Sequence, residues 1–113
     1  TEREVYLPHF KECVDAGAAS IMSSYNLYKG IHCGHSDYLL RKVLKEEWDF
    51  DGFVMSDFIW GVKDTAEAGN GGQDMEMCCT QFFGDKLVQA VKDGLVSEAR
   101  INDSALRIVR TIL

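Results

Sequence analysis

With 113 residues, 46% of them hydrophobic, the chain holds material for one small domain and has the composition of neither a disordered tract nor a fibre. Its 12 basic and 18 acidic residues leave a net charge of −6, without the basic stripe that nucleic acid or an anionic membrane requires, so no nucleic-acid or membrane partner is expected. The four cysteines, Cys13, Cys33, Cys78 and Cys79, are too few for a disulfide scaffold, and free thiols are expected.

No apolar run approaches the roughly 18 residues of a membrane span. The opening Thr1–Glu2–Arg3–Glu4 lacks the pattern of a secretory signal, and the missing initiating Met fits a piece of something longer. No compartment is assigned.

In chain order, Val5, Phe10, Cys13 and Val14 sit near helical spacing and close on Ala16–Gly17, a C-cap pattern. Ala18 to Ser24, short and small or apolar, suits a buried strand. Tyr25 to His35 reads as a loop. Ser36 is a good N-cap for a helix from Asp37 to Trp48, with Tyr38, Leu39, Val43, Leu44 and Trp48 on its buried face. Asp51–Gly52 breaks the chain before the clearest strand, Phe53–Val54–Met55, which ends at Ser56–Asp57. A short helix over Val62 to Ala68, a flexible turn over Gly69 to Gly72 and a strand over Gln73 to Met77 follow. A helix from Phe83 to Lys92 stops at Asp93–Gly94. The last helix is expected to start on Asn102 or Asp103 and to bury Ala105, Leu106, Ile108, Val109 and Ile112. Pro8 is the only proline, and no linker or domain boundary is signalled.

Strand and helix in repeated alternation imply parallel strands with right-handed crossovers, an α/β fold. An open three-stranded sheet would leave two edges bare, so the sequence reads as part of such a fold. Spacing alone leaves a doubly wound sheet and a (β/α) barrel both open.

Reactive residues of α/β folds sit where strands end at their carboxyl side. Those ends here offer Ser24, Tyr25 and Asn26; Ser56, Asp57 and Phe58; and Glu76 with Met77. A carboxylate, a tyrosine and an aromatic ring on one rim suit sugar chemistry: attack on an anomeric carbon, orientation, and cover for the apolar face of a pyranose. Each residue also has an ordinary structural role open to it. Asp57 could be a helix cap, Tyr25 a core residue, and Asp74 and Glu76 the polar face of a strand.

The run Ile21–Met22–Ser23–Ser24–Tyr25–Asn26, then Gly30, resembles the "MxSYN…NG" segment of family-3 glycoside hydrolases, the β-glucosidase family. Leu44 to Asp57, LKEEWDFDGFVMSD, resembles that family's "LRxEWGFDGFVxSDW", and Gly72 to Met77 its "AGLDxEMP" strand. The order and spacing hold over nearly the whole chain.

The resemblance implies that residues 1–113 are a fragment of that family's N-terminal (β/α) barrel domain. The fragment would be a partial TIM-type barrel of about three terminal strand–helix units plus an exit helix. It implies a retaining hydrolase of β-glucosidase or β-xylosidase type, with Asp57 as nucleophile, and Tyr25, Phe58 and Met22 as substrate-binding residues. It implies no cofactor and a carbohydrate substrate. The acid/base and the residues that grip sugar hydroxyls would come from the rest of the same polypeptide. Phe58 replaces the family's usual Trp, Cys78 its usual Pro, and Asn70–Gly71–Gly72–Gln73 is more polar and more flexible than the usual approach, as in a sequence under weak constraint or an error-bearing fragment. His32–Cys33–x–His35 carries metal-ligand types too closely spaced for a closed zinc site, and no metal is expected. The rival reading is a non-catalytic, carbohydrate-binding or structural remnant of such an enzyme.

Overall fold

The computed structural model describes residues 2–113, so Thr1 of the opening tetrad lies outside the described residues. A wide-wound helical turn, Glu2–Tyr6, leads into α1 (Pro8–Asp15). Proline suits this first turn because its missing N–H would have no intrahelical partner there. The C-cap is Ala16, as the sequence predicts, with Gly17 following at φ +98°.

β1 (Ser20–Ser23) follows. The expected loop after it contains a small hairpin, β2 (Leu27–Tyr28) and β3 (Ile31–His32), antiparallel with Tyr28 opposite Ile31. Its two connecting residues, Lys29 and Gly30, both have positive φ (51° and 81°), the backbone hand that two-residue hairpins need to match strand twist. Lysine is not a residue that advertises such a turn, which is why the hairpin escapes a sequence reading.

Ser36 caps the helix Asp37–Glu47 as expected, its hydroxyl accepting from Leu39 N–H at 3.1 Å. This helix is wound with π-type bonds, closing with Trp48 N–H to Val43 O. The wide winding brings Leu40 onto one face with Leu44 and Lys45, so Leu40 replaces the expected Leu39, and Tyr38 lies outside, stacked on Tyr28. Leu40, Leu44, Phe50 and Val54 form the core, with Val14, Ile21 and Trp48 packed against it.

β4 (Phe53–Ser56) pairs with β1 in parallel, Ser20 opposite Phe53 and Ser23 opposite Ser56. The third strand expected over Gln73 to Met77 shrinks to one parallel bridge, Met55 opposite Met75. Backbone bonds from Ser56 N–H to Met75 O (2.9 Å) and Ile59 N–H to Met77 O (3.0 Å) still hold that segment along β4. The three segments therefore run the same way, and their carboxyl ends emerge on one side. The architecture is an α/β fold, with helices around a small parallel sheet.

The helices depart more from expectation. α2 is Thr65–Gly71, capped by Asp64, whose Oδ1 accepts from Glu67 N–H at 2.9 Å. The expected flexible turn is thus mostly helix. Gly71 is there because a Cβ would overlap the His35 backbone, and Gly72 supplies the left-handed C-cap at φ +109°. Nor is the stretch weakly constrained, since Gln73 is fully buried and accepts from Ser23 Oγ at 2.9 Å. α3 spans Asp85–Lys92.

α4 runs from Glu98 to Ile112 and starts on Ser97, not Asn102 or Asp103. Ser97 Oγ takes Arg100 N–H at 3.1 Å. The predicted apolar stripe also fails: Leu106, Val109 and Ile112 are exposed, while Arg100 and Ser104 are buried. Polar groups from elsewhere meet this helix. Arg107 donates to the Phe50 and Gly52 carbonyls and Arg110 to that of Asp51, clasping the turn that feeds β4.

Candidate active site at the strand ends

β4 closes on Ser56, whose side-chain oxygen accepts from Met77 N–H at 2.9 Å. Asp57 comes next, half-buried, and its Oδ1 accepts from Phe58 N–H at 2.8 Å. The chain then reverses sharply, with Trp60 N–H meeting Phe58 O at 2.7 Å around Ile59, which stands at φ +68°. A β-branched residue in that region is strained, and the three-residue turn it centres is the rare, costly hand of its kind.

Such strain persists only where neighbours over-determine it. Three do so here. Ile59 N–H is held by Met77 O, and the Tyr25 hydroxyl donates to Phe58 O at 2.6 Å. Gly61 folds back so closely that a Cβ would overlap the Asp57 carbonyl oxygen and stand 2.7 Å from its nitrogen. The carboxylate is therefore fixed at a strand end by contacts from both neighbouring segments.

Tyr25 and Phe58, expected together on one rim, are brought together. Partial removal from water raises the Tyr25 phenol above its ordinary pKa, and the nearby Asp57 carboxylate adds to this as acceptor and as charge. The hydroxyl has one proton, directed at the Phe58 carbonyl, and Asp57 competes for it. Met22 is placed differently. It faces Met55 one residue before the strand end and lines an open groove of about 630 Å³ along β1, with Phe10, Tyr28 and Leu39. Among the described residues no bond ties it to the Asp57 turn.

Trp60, not among the expected site residues, is 62% exposed on the same turn, beside Phe58 at 46%. Its place beyond the strained Ile59 carries no local signal, though an exposed tryptophan three residues from a strand-end carboxylate could have prompted one.

The two other carboxylates singled out in the sequence, Asp74 and Glu76, are occupied. Asp74 has a fully buried side chain gripped by Lys45 Nζ (2.9 Å), Arg100 Nη2 (2.9 Å), Ser104 Oγ (2.6 Å) and Val54 N–H (2.8 Å). It lies toward the start of the third segment, away from Asp57. Burial pushes its pKa upward, but Lys45, Ser104 and the Val54 amide outweigh that and hold it below the ordinary value. Lys45 is lowered to about 8, chiefly by burial, with Asp74 opposing and Arg100 adding to the fall. Two cations share one carboxylate, and the lysine is the one able to yield. Glu76 accepts from the N–H groups of Phe82 (2.9 Å) and Phe83 (2.8 Å), closing the loop before α3.

His35 is also committed. Its Nε2 accepts from Lys63 N–H at 3.0 Å, so Nδ1 carries the proton and donates to Glu67 at 3.2 Å. Burial lowers its pKa, keeping the ring neutral, and Glu67 opposes that only in part. Among the described residues no group of three or more His, Cys, Asp or Glu is placed to hold a metal.

Comparison with known proteins gives the arrangement its relatives. The sequence pattern of the family described as "Glycosyl hydrolase family 3 N terminal domain" matches residues 2–111. A β-glucosidase of Rhizobium radiobacter is 48% identical over 96% of this chain, which spans 13% of that protein. An exo-α-(1→6)-L-arabinopyranosidase of Bifidobacterium longum is 41% identical over 91% of the chain and 14% of its own length. The crystal structure of DesR, a β-glucosidase from Streptomyces venezuelae in complex with D-glucose, superposes with a TM-score of 0.87 at 37% identity. It covers 96% of this chain and 15% of that one. The chain thus spans about one-seventh of the relatives it matches.

Proposed function

Since the chain belongs to glycosyl hydrolase family 3, we propose that it is the nucleophile-bearing portion of a retaining glycosidase, with Asp57 as the attacking carboxylate. The observation that carries this reading is the strained, triply held turn that fixes Asp57 at the carboxyl end of β4 beside Tyr25. Strain kept at a strand end, where α/β folds do their chemistry, is better accounted for by a reacting group than by a helix cap. Asp57 caps no helix, because α2 begins seven residues later on Asp64.

In this reading residues 1–113 form the last part of an N-terminal (β/α) barrel. Asp57 adds to the anomeric carbon as the aglycone leaves, giving a glycosyl-enzyme that water resolves. The acid/base would stand about 5–5.5 Å away, the separation retaining enzymes use. It and the groups gripping the sugar hydroxyls would come from the rest of the polypeptide. Phe58 offers a stacking face, Tyr25 sets the turn, and Met22 lines the adjoining wall. The substrate is a terminal β-glucoside or β-xyloside.

The test is made on the whole enzyme that carries this chain. Asp57→Asn should lower kcat by several orders of magnitude with the fold intact. A 2-fluoroglycoside should leave its label on the peptide containing Asp57. Near-normal turnover by Asp57→Asn, or a label on Asp74 or Glu76, would overturn the assignment.

A further inference from the structure

Cys78 and Cys79 are adjacent, reduced and exposed. They follow Met77, the residue through which the third segment grips the candidate active site. Met77 N–H donates to Ser56 Oγ at 2.9 Å, and its carbonyl accepts from Ile59 N–H at 3.0 Å. Ile59 in turn is the strained centre of the Asp57 turn. The two thiols therefore directly follow a residue that holds this turn through both its N–H and its carbonyl.

Neighbouring thiols have a distinctive chemistry. Consecutive Cα atoms are about 3.8 Å apart, below the roughly 4.4–6.8 Å that a relaxed disulfide spans, so direct S–S closure is disfavoured. One larger atom between the sulfurs relieves that ring. We propose that Cys78 and Cys79 form a chelating site for a trivalent arsenical, R–As(OH)2, whose occupancy disturbs the Asp57 turn through Met77. Two S–As bonds form and two As–O bonds break. The two thiol protons leave with the two hydroxides as water, arsenic stays trivalent, and no oxidant is needed. The effect on turnover rests on the reading of Asp57 given above; the binding itself does not.

The probe is phenylarsine oxide, added to the whole enzyme that carries this chain. One arsenic should be found bridging residues 78 and 79 by peptide mass spectrometry. It should survive excess monothiol and be released by a dithiol. Cys78→Ser and Cys79→Ser should each weaken binding about a hundredfold, the usual scale of losing an intramolecular second contact. Cys13→Ser and Cys33→Ser should leave it unchanged. Aryl β-glucoside turnover should fall on occupancy and recover with the dithiol. Release by monothiol, arsenic mapped elsewhere, or full affinity in either serine variant at 78 or 79 would overturn the site. An adduct at 78–79 with unchanged turnover would overturn the coupling to the Asp57 turn. An enzyme inactive before treatment would count against the reading of Asp57, while the mass adduct still decides the binding.

Discussion

Tyr25 holds Phe58 by its backbone: the hydroxyl and the carbonyl oxygen meet at 2.6 Å. The clamp is therefore indifferent to which aromatic side chain stands at 58, and Phe in place of the family's Trp leaves the Asp57 turn supported. Tyr25→Phe removes that bond and keeps the ring. Loss of one hydrogen bond of about 0.5–1.5 kcal/mol should lower kcat by a factor of about two to ten, with little change in KM. Unaltered kinetics would mean that the turn holds its shape without Tyr25.

Gly61→Ala tests the same turn from its other side. The new methyl would overlap the Asp57 carbonyl oxygen, a backbone atom that cannot swing away. Turnover should fall by at least about a hundredfold, the scale that misplacement of a reacting group by an ångström produces. Gly17→Ala is the control, with open space around it and only its own φ at stake. Equal activity in the two variants would dismiss the close approach.

Asp74→Ala should be among the most damaging substitutions in the chain. It leaves Lys45 and Arg100 buried without their anion, a change that costs about 3–5 kcal/mol. Lys45→Met should be far milder, because Arg100, Ser104 and the Val54 amide still satisfy the carboxylate. Urea midpoints of the whole enzyme, read at this domain's transition, would rank them; the reverse order would show that Lys45 is the member the fold depends on.

Lys45 also predicts a pH dependence. Folding lowers its pKa from 10.5 to about 8. Between those values the unfolded chain keeps a proton that the folded chain has released, so stability should rise as pH climbs through that window. Asp74 acts at the other end: held below 3.8, it contributes stability above that value that is lost as pH falls through its folded pKa. Denaturation midpoints from pH 7 upward should show the alkaline rise in wild type and lose it in Lys45→Met. Parallel curves would refute the assignment.

Alone, the 113 residues should associate. The groove along β1 is lined by Ile21, Met22, Leu39 and Val43, and β1 has a free edge on that side; bare edges and apolar grooves recruit other chains. Sedimentation should show oligomers that bind a hydrophobic dye, without hydrolysis of aryl β-glucosides. A monodisperse monomer with a sharp melt would argue against it.

What the sequence disclosed was what neighbours in sequence decide. Ser36 as a cap and the break at Asp51–Gly52 depend on residues close by, the strand leading to Asp57 carries its own apolar run, and all are legible. The inward face of α4 is not. It is polar because Arg100 and Ser104 answer Asp74, 26 and 30 residues earlier, and periodicity assumes an apolar interior. Gly69 to Gly72 looked slack because the His35 backbone that presses on Gly71 is 36 positions away in the chain. At the site, the strand end pointed to Asp57 and Tyr25. The positive φ of Ile59 and the exposure of Trp60 belong to a turn held by Met77, 18 residues on, and by the close approach of Gly61 to the Asp57 backbone, which the residue types alone do not announce.

The buried carboxylate of Asp74 has a consequence for assembly. Its cationic partners stand 29 residues before it and 26 after it, so as the chain leaves the ribosome Lys45 and Asp74 are both made before Arg100 exists. Until α4 docks, Asp74 has its Lys45 counter-charge but lacks the Arg100 and Ser104 bonds, and closing the pocket early would bury polar atoms without partners. The strands should therefore settle into their dry interior only once α4 has docked against Asp74. A chain stopped short of Arg100 should stay open, even with Asp57 and its turn already complete in sequence.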